Sequence, residues 1–179
     1  MHEPPTGERI RLLDVTPDTV NLLISLQRGQ AGGFNDFGIE RQAPPADAFR
    51  YGRLRNDRKG TFLVERRVDG ALIGSISYSA VEHGPGVPSR AWRIGIDLVP
   101  EGRGQGFGTD AQRLFAAWLF ETTDANRVEA STDVENLVEA RSLEKAGFTR
   151  EGVARGAQFR AGAHHDLALY GRLRFDQVD

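Results

Sequence analysis

Cysteine is absent from all 179 residues, and only two of the 23 Lys and Arg side chains are lysine, Lys59 and Lys145. Without cysteine there is no disulfide framework, no thiol nucleophile and no thiolate metal site, and a reducing cytoplasm is the expected compartment. The arginine excess fits a GC-rich coding sequence and points to no function class. Long apolar runs are missing too. The longest, Leu114–Phe120, is seven residues, far below the roughly 20 that span a bilayer, so no membrane association is expected. Met1-His2-Glu3-Pro4-Pro5 lacks the basic and apolar regions of a secretory signal. A formal net charge of −2 gives no global attraction to nucleic acid, and direct nucleic-acid binding is not expected. With 39% hydrophobic and 27% charged residues, the chain suits one domain over 1–179, with residues 1–7 as a frayed, flexible tail.

Glycine, by contrast, is concentrated where it says most. Gly102-Arg103-Gly104-Gln105-Gly106-Phe107-Gly108 follows an alternating strand pattern, Ile94–Val99, closed by Pro100-Glu101. It precedes an amphipathic helix pattern from Thr109 to Phe120. A glycine-rich turn opening a helix presents several backbone N–H groups at the positive end of the helix dipole, which makes an anion cradle. Two familiar phosphate loops fail on spacing. A Walker A loop needs Gly-Lys-Ser/Thr at the helix start, and there is no lysine here. The dinucleotide fingerprint needs a glycine at its sixth place, which Phe107 or Thr109 occupies instead.

The rest of the chain alternates short strand and helix patterns with no internal repeat. Ile10, Leu12 and Leu13 predict a first strand. Thr16-Pro17 predicts a helix start running to about Arg28. Residues 29–43 read as a loop, and a second helix is predicted from Pro44-Pro45 through Leu54. Thr61–Arg67 and Ala71–Ser79 predict a hairpin turning at Asp69-Gly70, and His83–Ser89 a loop. Val128–Thr132 predicts a short strand and Asn136–Ala146 a helix stopped by Gly147. Two last strands are predicted near 148–155 and 165–174. The pattern is α/β.

Arg103, Gly106 and Gly108 in the spacing Arg-x-x-Gly-x-Gly resemble the pyrophosphate loop of the GNAT superfamily of acyl-CoA-dependent N-acyltransferases. Asn136-Leu137-Val138-Glu139-Ala140-Arg141-Ser142-Leu143-Glu144-Lys145-Ala146-Gly147-Phe148 resembles the Asn-then-Glu-Lys-x-Gly-Phe helix of that superfamily. Thr149–Arg155 with His165-Asp166 and Tyr170 is similar to its RimJ/RimL-type branch of ribosomal-protein N-terminal acetyltransferases. The likeness covers about residues 60–175; residues 1–59 match only in pattern. It implies the GNAT fold: a mixed, mostly antiparallel central sheet, splayed between two parallel strands and flanked by about four helices. It also implies acetyl-CoA as co-substrate, no metal, an amine acceptor, and a monomer or homodimer. Acetyl-CoA is expected between strands 92–98 and 128–132, with its pantetheine arm along Leu98 and Val99. The diphosphate is expected on N–H groups of Arg103, Gly104, Gln105, Gly106, Phe107, Gly108 and Thr109. Asn136 resembles the asparagine that holds the pantetheine arm, and it is equally a plain helix N-cap.

The reaction that the resemblance implies is direct attack of a neutral amine on the thioester, with a base for the amine and an acid for the departing thiolate. A backbone N–H near Val99 is expected to polarise the thioester carbonyl. This chain departs from common family patterns, having Arg93 where many relatives carry Glu, Leu143 where many carry a Tyr acid, and Glu139 where some carry Ser. The candidates for the base are Asp97, Glu82, Glu101 and Asp166. Near pH 7.4 a lysine amine, with pKa about 10.4, costs roughly 4 kcal/mol to deprotonate, against about 0.5–1 kcal/mol for an α-amine. A site without an obvious strong base therefore suits an α-amine or another weakly basic amine: a peptide or protein N-terminus, an amino acid or an amino-bearing metabolite. A small amine such as an amino sugar, polyamine or antibiotic is the enzymatic alternative, and a non-catalytic acyl-CoA-binding module is the other. Loops 29–43, 82–90 and 156–164 are expected to decide among acceptors. His164-His165 point to opposite strand faces and make no metal pair. Arg50, Arg53, Arg55, Arg58 and Lys59 read as a solvated helix face ahead of a patch for ribosomal RNA or an acidic acceptor, and Tyr170 reads as core.

Overall fold

The computed structural model describes residues 2–28, 34, 37, 44, 48, 49 and 52–177. Among the described residues, seven strands form one sheet: β1 (Ile10–Asp14), β2 (Lys59–Arg66), β3 (Ala71–Glu82), β4 (Arg90–Leu98), β5 (Arg127–Asp133), β6 (Thr149–Arg160) and β7 (Ala163–Leu173). Their order is β1-β2-β3-β4-β5-β7-β6. Every neighbouring pair is antiparallel except β4 and β5, which are parallel and joined by the crossover that contains helix α2 (Phe107–Thr122). Helices α1 (Val20–Arg28) and α3 (Leu137–Lys145) complete the α-helices among the described residues. None of these helices is long and apolar enough to cross a membrane.

The alternation of β4 separates the two faces of the sheet. Trp92 and Ile94 join Phe62, Phe115, Leu119 and Leu143 in the main core, with Ile96 packed against it, so α2 and α3 cover this face. Phe62 anchors the core edge-on to Phe115 and Trp118, with ring centroids 5.4 and 5.3 Å away. Arg93, Gly95 and Asp97 point the other way. Asp97 lies opposite Ser75, and Ser75 opposite Leu63. Leu63 packs with Val15 and Leu23 of the smaller cluster, so the second face is the one that α1 covers.

Several expectations are corrected. Of the helix predicted over 44–54, residues 45–47, 50 and 51 lie outside the described residues. Its described end forms a turn and an isolated bridge from Arg55 to Gly60, with the Leu54 N–H donated to Val15 O. Tertiary contacts prevail there: Arg55 is only 2% exposed, its Nε sits 2.7 Å from Asp14 and its guanidinium lies over Phe62, so it belongs to no solvated helix face. Residues 2–7 were expected to fray but are strapped down. Leu12 N–H donates to Pro5 O, Arg55 to His2 O and Trp118 Nε1 to Glu3 O. The loop expected at 156–164 is instead a continuation of β6 and β7 around a tight turn at Ala161-Gly162, with a bulge between Ala154 and Gln158. Helix α1 begins at Val20 because Thr16–Thr19 close a turn first. Tyr170 is buried in the core.

Candidate active site

β4 and β5 are in register at two positions, Trp92 with Val128 and Arg93 with Glu129, and then part. At the closed end, Glu129 is 6% exposed and accepts from Arg93 Nη2 at 2.6 Å and Arg127 Nε at 3.2 Å, with His83 Nε2 at 2.8 Å. Burial opposes ionisation of Glu129, but His83, Arg93 and Arg127 together hold its pKa below the ordinary carboxylate value. Arg93 is therefore the clasp of the parallel pair. Beyond it, Ile94–Leu98 and Ala130–Asp133 line opposite sides of a cleft of about 910 Å³.

The glycine-rich turn forms one end of this cleft. The first intrahelical bond of α2 runs from Asp110 N–H to Gly106 O, so the N–H groups of Phe107, Gly108 and Thr109 precede the ladder. Gly106 is the N-cap at φ 84° and Gly104 has φ 72°, left-handed backbone that glycine adopts without a Cβ penalty. Arg9 braces the turn from outside, donating Nε to Asp110 at 2.7 Å and Nη1 to Gln105 O at 3.0 Å. Gly104, Gln105 and Gly106 are exposed; Phe107 is buried beneath Arg9, 5.0 Å from its ring centroid, and offers only backbone. Arg103 is exposed at the mouth. Its N–H donates to Pro100 O and its Nε to Leu98 O at 2.7 Å, so its backbone amide is not among the cradle donors.

Val99 is corrected as a donor into the cleft. Its N–H donates to Ile73 O at 2.9 Å and is spent on β3. Strand N–H groups alternate sides, so those of Leu98 and Ile96 are the ones turned toward the cleft. Glu82 is displaced from the site altogether. It pairs with Arg90 and Arg58 at the far end of β4, eight residues from Leu98, or roughly 26 Å at strand spacing. The carboxylate of Asp166 accepts the Gly156 N–H at 2.7 Å and fixes the β6 bulge; Asp166 is not among the cleft residues. Asp97 does line the cleft, on the α1 face. His165 bonds Arg160 and approaches Asp133 at 3.3 Å, whereas His164 packs on Phe159. Asn136 caps α3, its Oδ1 accepting the Glu139 N–H at 3.3 Å, and it also borders the cleft. Asn136→Ala is expected to cost about 1 kcal/mol of stability, read as a lowered urea midpoint.

Three features in and around the cleft could not be taken from the sequence, which marked Glu139 only as standing where some relatives carry Ser. Glu139, at the third position of α3, turns its carboxyl toward Gln112 of α2, and Gln112 in turn bonds Ser142, which bonds Thr109. A Glu three residues after an N-cap ordinarily reaches back to the cap; here Asn136 N–H donates to Asp133 O instead. Asp133 is buried with Arg160 at the open end of β5, and Phe34 stacks on that guanidinium at 5.0 Å. Arg9 is the third.

YdaF of Bacillus subtilis (strain 168), provisionally named a ribosomal N-acetyltransferase, is 35% identical over 106 residues. These are 59% of this chain and 56% of that protein, so the chain spans little more than half the length of this curated relative. RimL, a ribosomal L7/L12 alpha-N-protein acetyltransferase solved in complex with coenzyme A, has a TM-score of 0.77 at 20% identity, over 96% of this chain and 98% of that one. A spermidine N-acetyltransferase from Vibrio cholerae, in complex with CoA and spermine, has a TM-score of 0.72 at 17% identity, over 95% and 98% of the two chains. Both structural likenesses establish the fold, and the described strands form the expected mixed sheet, splayed at its one parallel pair. Residues 9–149, most of the chain, match the family described as the acetyltransferase (GNAT) domain, and the chain belongs to that family.

Proposed function

We propose that this protein is an acetyl-CoA-dependent N-acetyltransferase of the RimJ/RimL-like branch that acts on the α-amine of a peptide or protein N-terminus. The observation that carries the reading is the cleft. It is open between β4 and β5 and closed at one end by amides that precede the α2 ladder. A diphosphate fits these amides because the helix dipole, the exposed charge of Arg103 and two left-handed glycines favour an anion in close contact with backbone. The pantetheine arm then lies along Ile96–Leu98, where the turned-out N–H of Leu98, rather than Val99, polarises the thioester carbonyl. Asn136 Nδ2 holds the arm from the α3 side.

The amine approaches from the α1 face, where Asp97, Asp133 and Gln158 border the cleft. Asp97 attracts a cationic amine and orients it. The absence of a strong base among these residues suits an α-amine, which needs about 3 kcal/mol less than lysine for deprotonation near neutral pH. Thiol release from acetyl-CoA should be followed with an alanine-initiated peptide, with the same peptide blocked at its N-terminus but bearing a lysine, and with spermidine. The free α-amine is expected to turn over fastest. Turnover confined to spermidine would replace the peptide acceptor with a small amine, and CoA binding without turnover for any amine would remove the chemistry.

A further inference from the structure

The geometry points to Glu139 as the proton donor to the sulfur that leaves when the acyl group is transferred, an inference that rests on the acetyltransferase reading of this cleft. Leu143, which stands where many relatives carry a Tyr acid, is buried in the core and has no proton to give. Glu139 lies in the first turn of α3, on the face of the sheet that α2 and α3 cover, whereas Asp97 lies on the α1 face. The two carboxyls thus border the same cleft from opposite sides. A thioester held along β4 has its acceptor on one side and its leaving group on the other, and Glu139 is on the leaving-group side.

A row of hydrogen bonds fixes which Glu139 oxygen carries the proton. Ser142 has a single hydroxyl hydrogen and donates it to Gln112 Oε1 at 3.0 Å. Thr109, 3.1 Å from the Ser142 oxygen, must therefore be the donor of that pair. With its oxygen so occupied, Gln112 presents its amide N–H2 to Glu139 Oε1. Every donor in the row Thr109–Ser142–Gln112 points toward Glu139. Oε1 is thereby the accepting oxygen, and Oε2 is left to bear a proton. Burial pushes the carboxyl up to about 7, against the opposing effect of the Gln112 bond. The other charged groups on the cleft are Asp97 from β4, Asp133 from β5, Arg103 from the turn, and Arg141 and Lys145 from α3 itself. None of them is bonded to the Glu139 carboxyl among the described contacts.

The amine lone pair forms the new C–N bond, and the carbonyl π pair moves onto oxygen. On collapse the C–S pair leaves with sulfur, which takes the Oε2 proton to give the free thiol and the Glu139 carboxylate. The nitrogen releases its extra proton to water, and Glu139 regains one from water.

Glu139→Gln keeps the shape and removes the proton. Calorimetry with CoA is expected to give unchanged affinity, while kcat with acetyl-CoA and the alanine-initiated peptide falls about 100-fold and KM for acetyl-CoA stays put. Because the acid form is required, wild-type kcat declines as pH rises through the Glu139 pKa, and this alkaline limb disappears in the variant. Gln112→Leu removes the donor that lowers the Glu139 pKa, so its limb moves to higher pH, which gives a second reading should the first variant misfold. Wild-type kcat with an intact alkaline limb in Glu139→Gln overturns the assignment alone. Loss of CoA binding or turnover in the wild-type protein overturns the acetyltransferase reading as well.

Discussion

Gly106→Asp is expected to abolish CoA binding while leaving the sheet folded. Aspartate tolerates left-handed backbone better than most residues, so the strain at φ 84° is of the order of 1 kcal/mol and does not by itself unfold the turn. The damage comes from where the side chain goes. A Cβ on Gly106 would lie 2.9 Å from Arg9 Nη2, displacing the guanidinium that ties Gln105 O and Asp110 to the residue preceding β1. The new carboxylate then sits at the N-terminus of α2, where the diphosphate is proposed to bind. At about 5 Å and an effective dielectric near 20, each like-charge pair costs roughly 3 kcal/mol, which is more than 100-fold in Kd. Gly106→Ala carries the strain and the Arg9 displacement without the charge, so it should bind CoA between the two. Calorimetry checks both, with circular dichroism as the control for folding. Unchanged affinity in a folded Gly106→Asp would remove the diphosphate from this turn and, with it, the placement of the coenzyme.

What could be read from the sequence here, and what could not, follows from how local each feature is. The alternation in Trp92–Leu98, the Gly104 and Gly106 turn and the Asn136 cap are written in consecutive residues, and the structure has each of them. The identity of the donor into the cleft depends instead on register. Whether Val99 or Leu98 turns its N–H outward is decided by Ile73 on β3, and no period-2 pattern carries that information. Glu82 and Asp97 look alike as carboxylates near one strand, yet antiparallel pairing puts Glu82 opposite Arg90 at the wrong end. Asp166 was legible as strand and illegible as partner, because the Gly156 N–H that it accepts is freed by a bulge ten residues away. Glu139 stands out in the sequence only as the residue where some relatives carry Ser; the packing of α3 on α2, which no local pattern carries, turns it to Gln112.

Asp133→Ala is expected to be the most destabilising single change at the cleft. Its carboxylate is 2% exposed and meets Arg160, whose side chain is 8% exposed, with His165 Nδ1 at 3.3 Å. Its other oxygen accepts the Glu135 N–H at 2.8 Å and shapes the entry to α3. Burial favours the neutral acid, but the Glu135 N–H, Arg160 and His165 outweigh it and hold the Asp133 pKa below its usual value. Removing one partner of a buried pair leaves the other charge desolvated and costs about 3–5 kcal/mol, a fall of roughly 10 °C in Tm for a chain of this size. The sign with pH follows from the depressed pKa. This stability is present above the unfolded carboxylate pKa, near 4, and is lost as pH falls through the folded one, so the gap between wild type and variant should narrow below about pH 4. Melting curves at neutral and acid pH measure both effects. Asp133→Leu combined with Arg160→Met separates the causes. If the loss arises from an orphaned guanidinium, the double variant regains much of it, because apolar pairs often match buried ion pairs in stability. If the double variant melts as low as Asp133→Ala, the loss resides in the Glu135 turn and in the Arg160–Phe34 contact, and the ion pair positions the cleft wall instead of supplying stability.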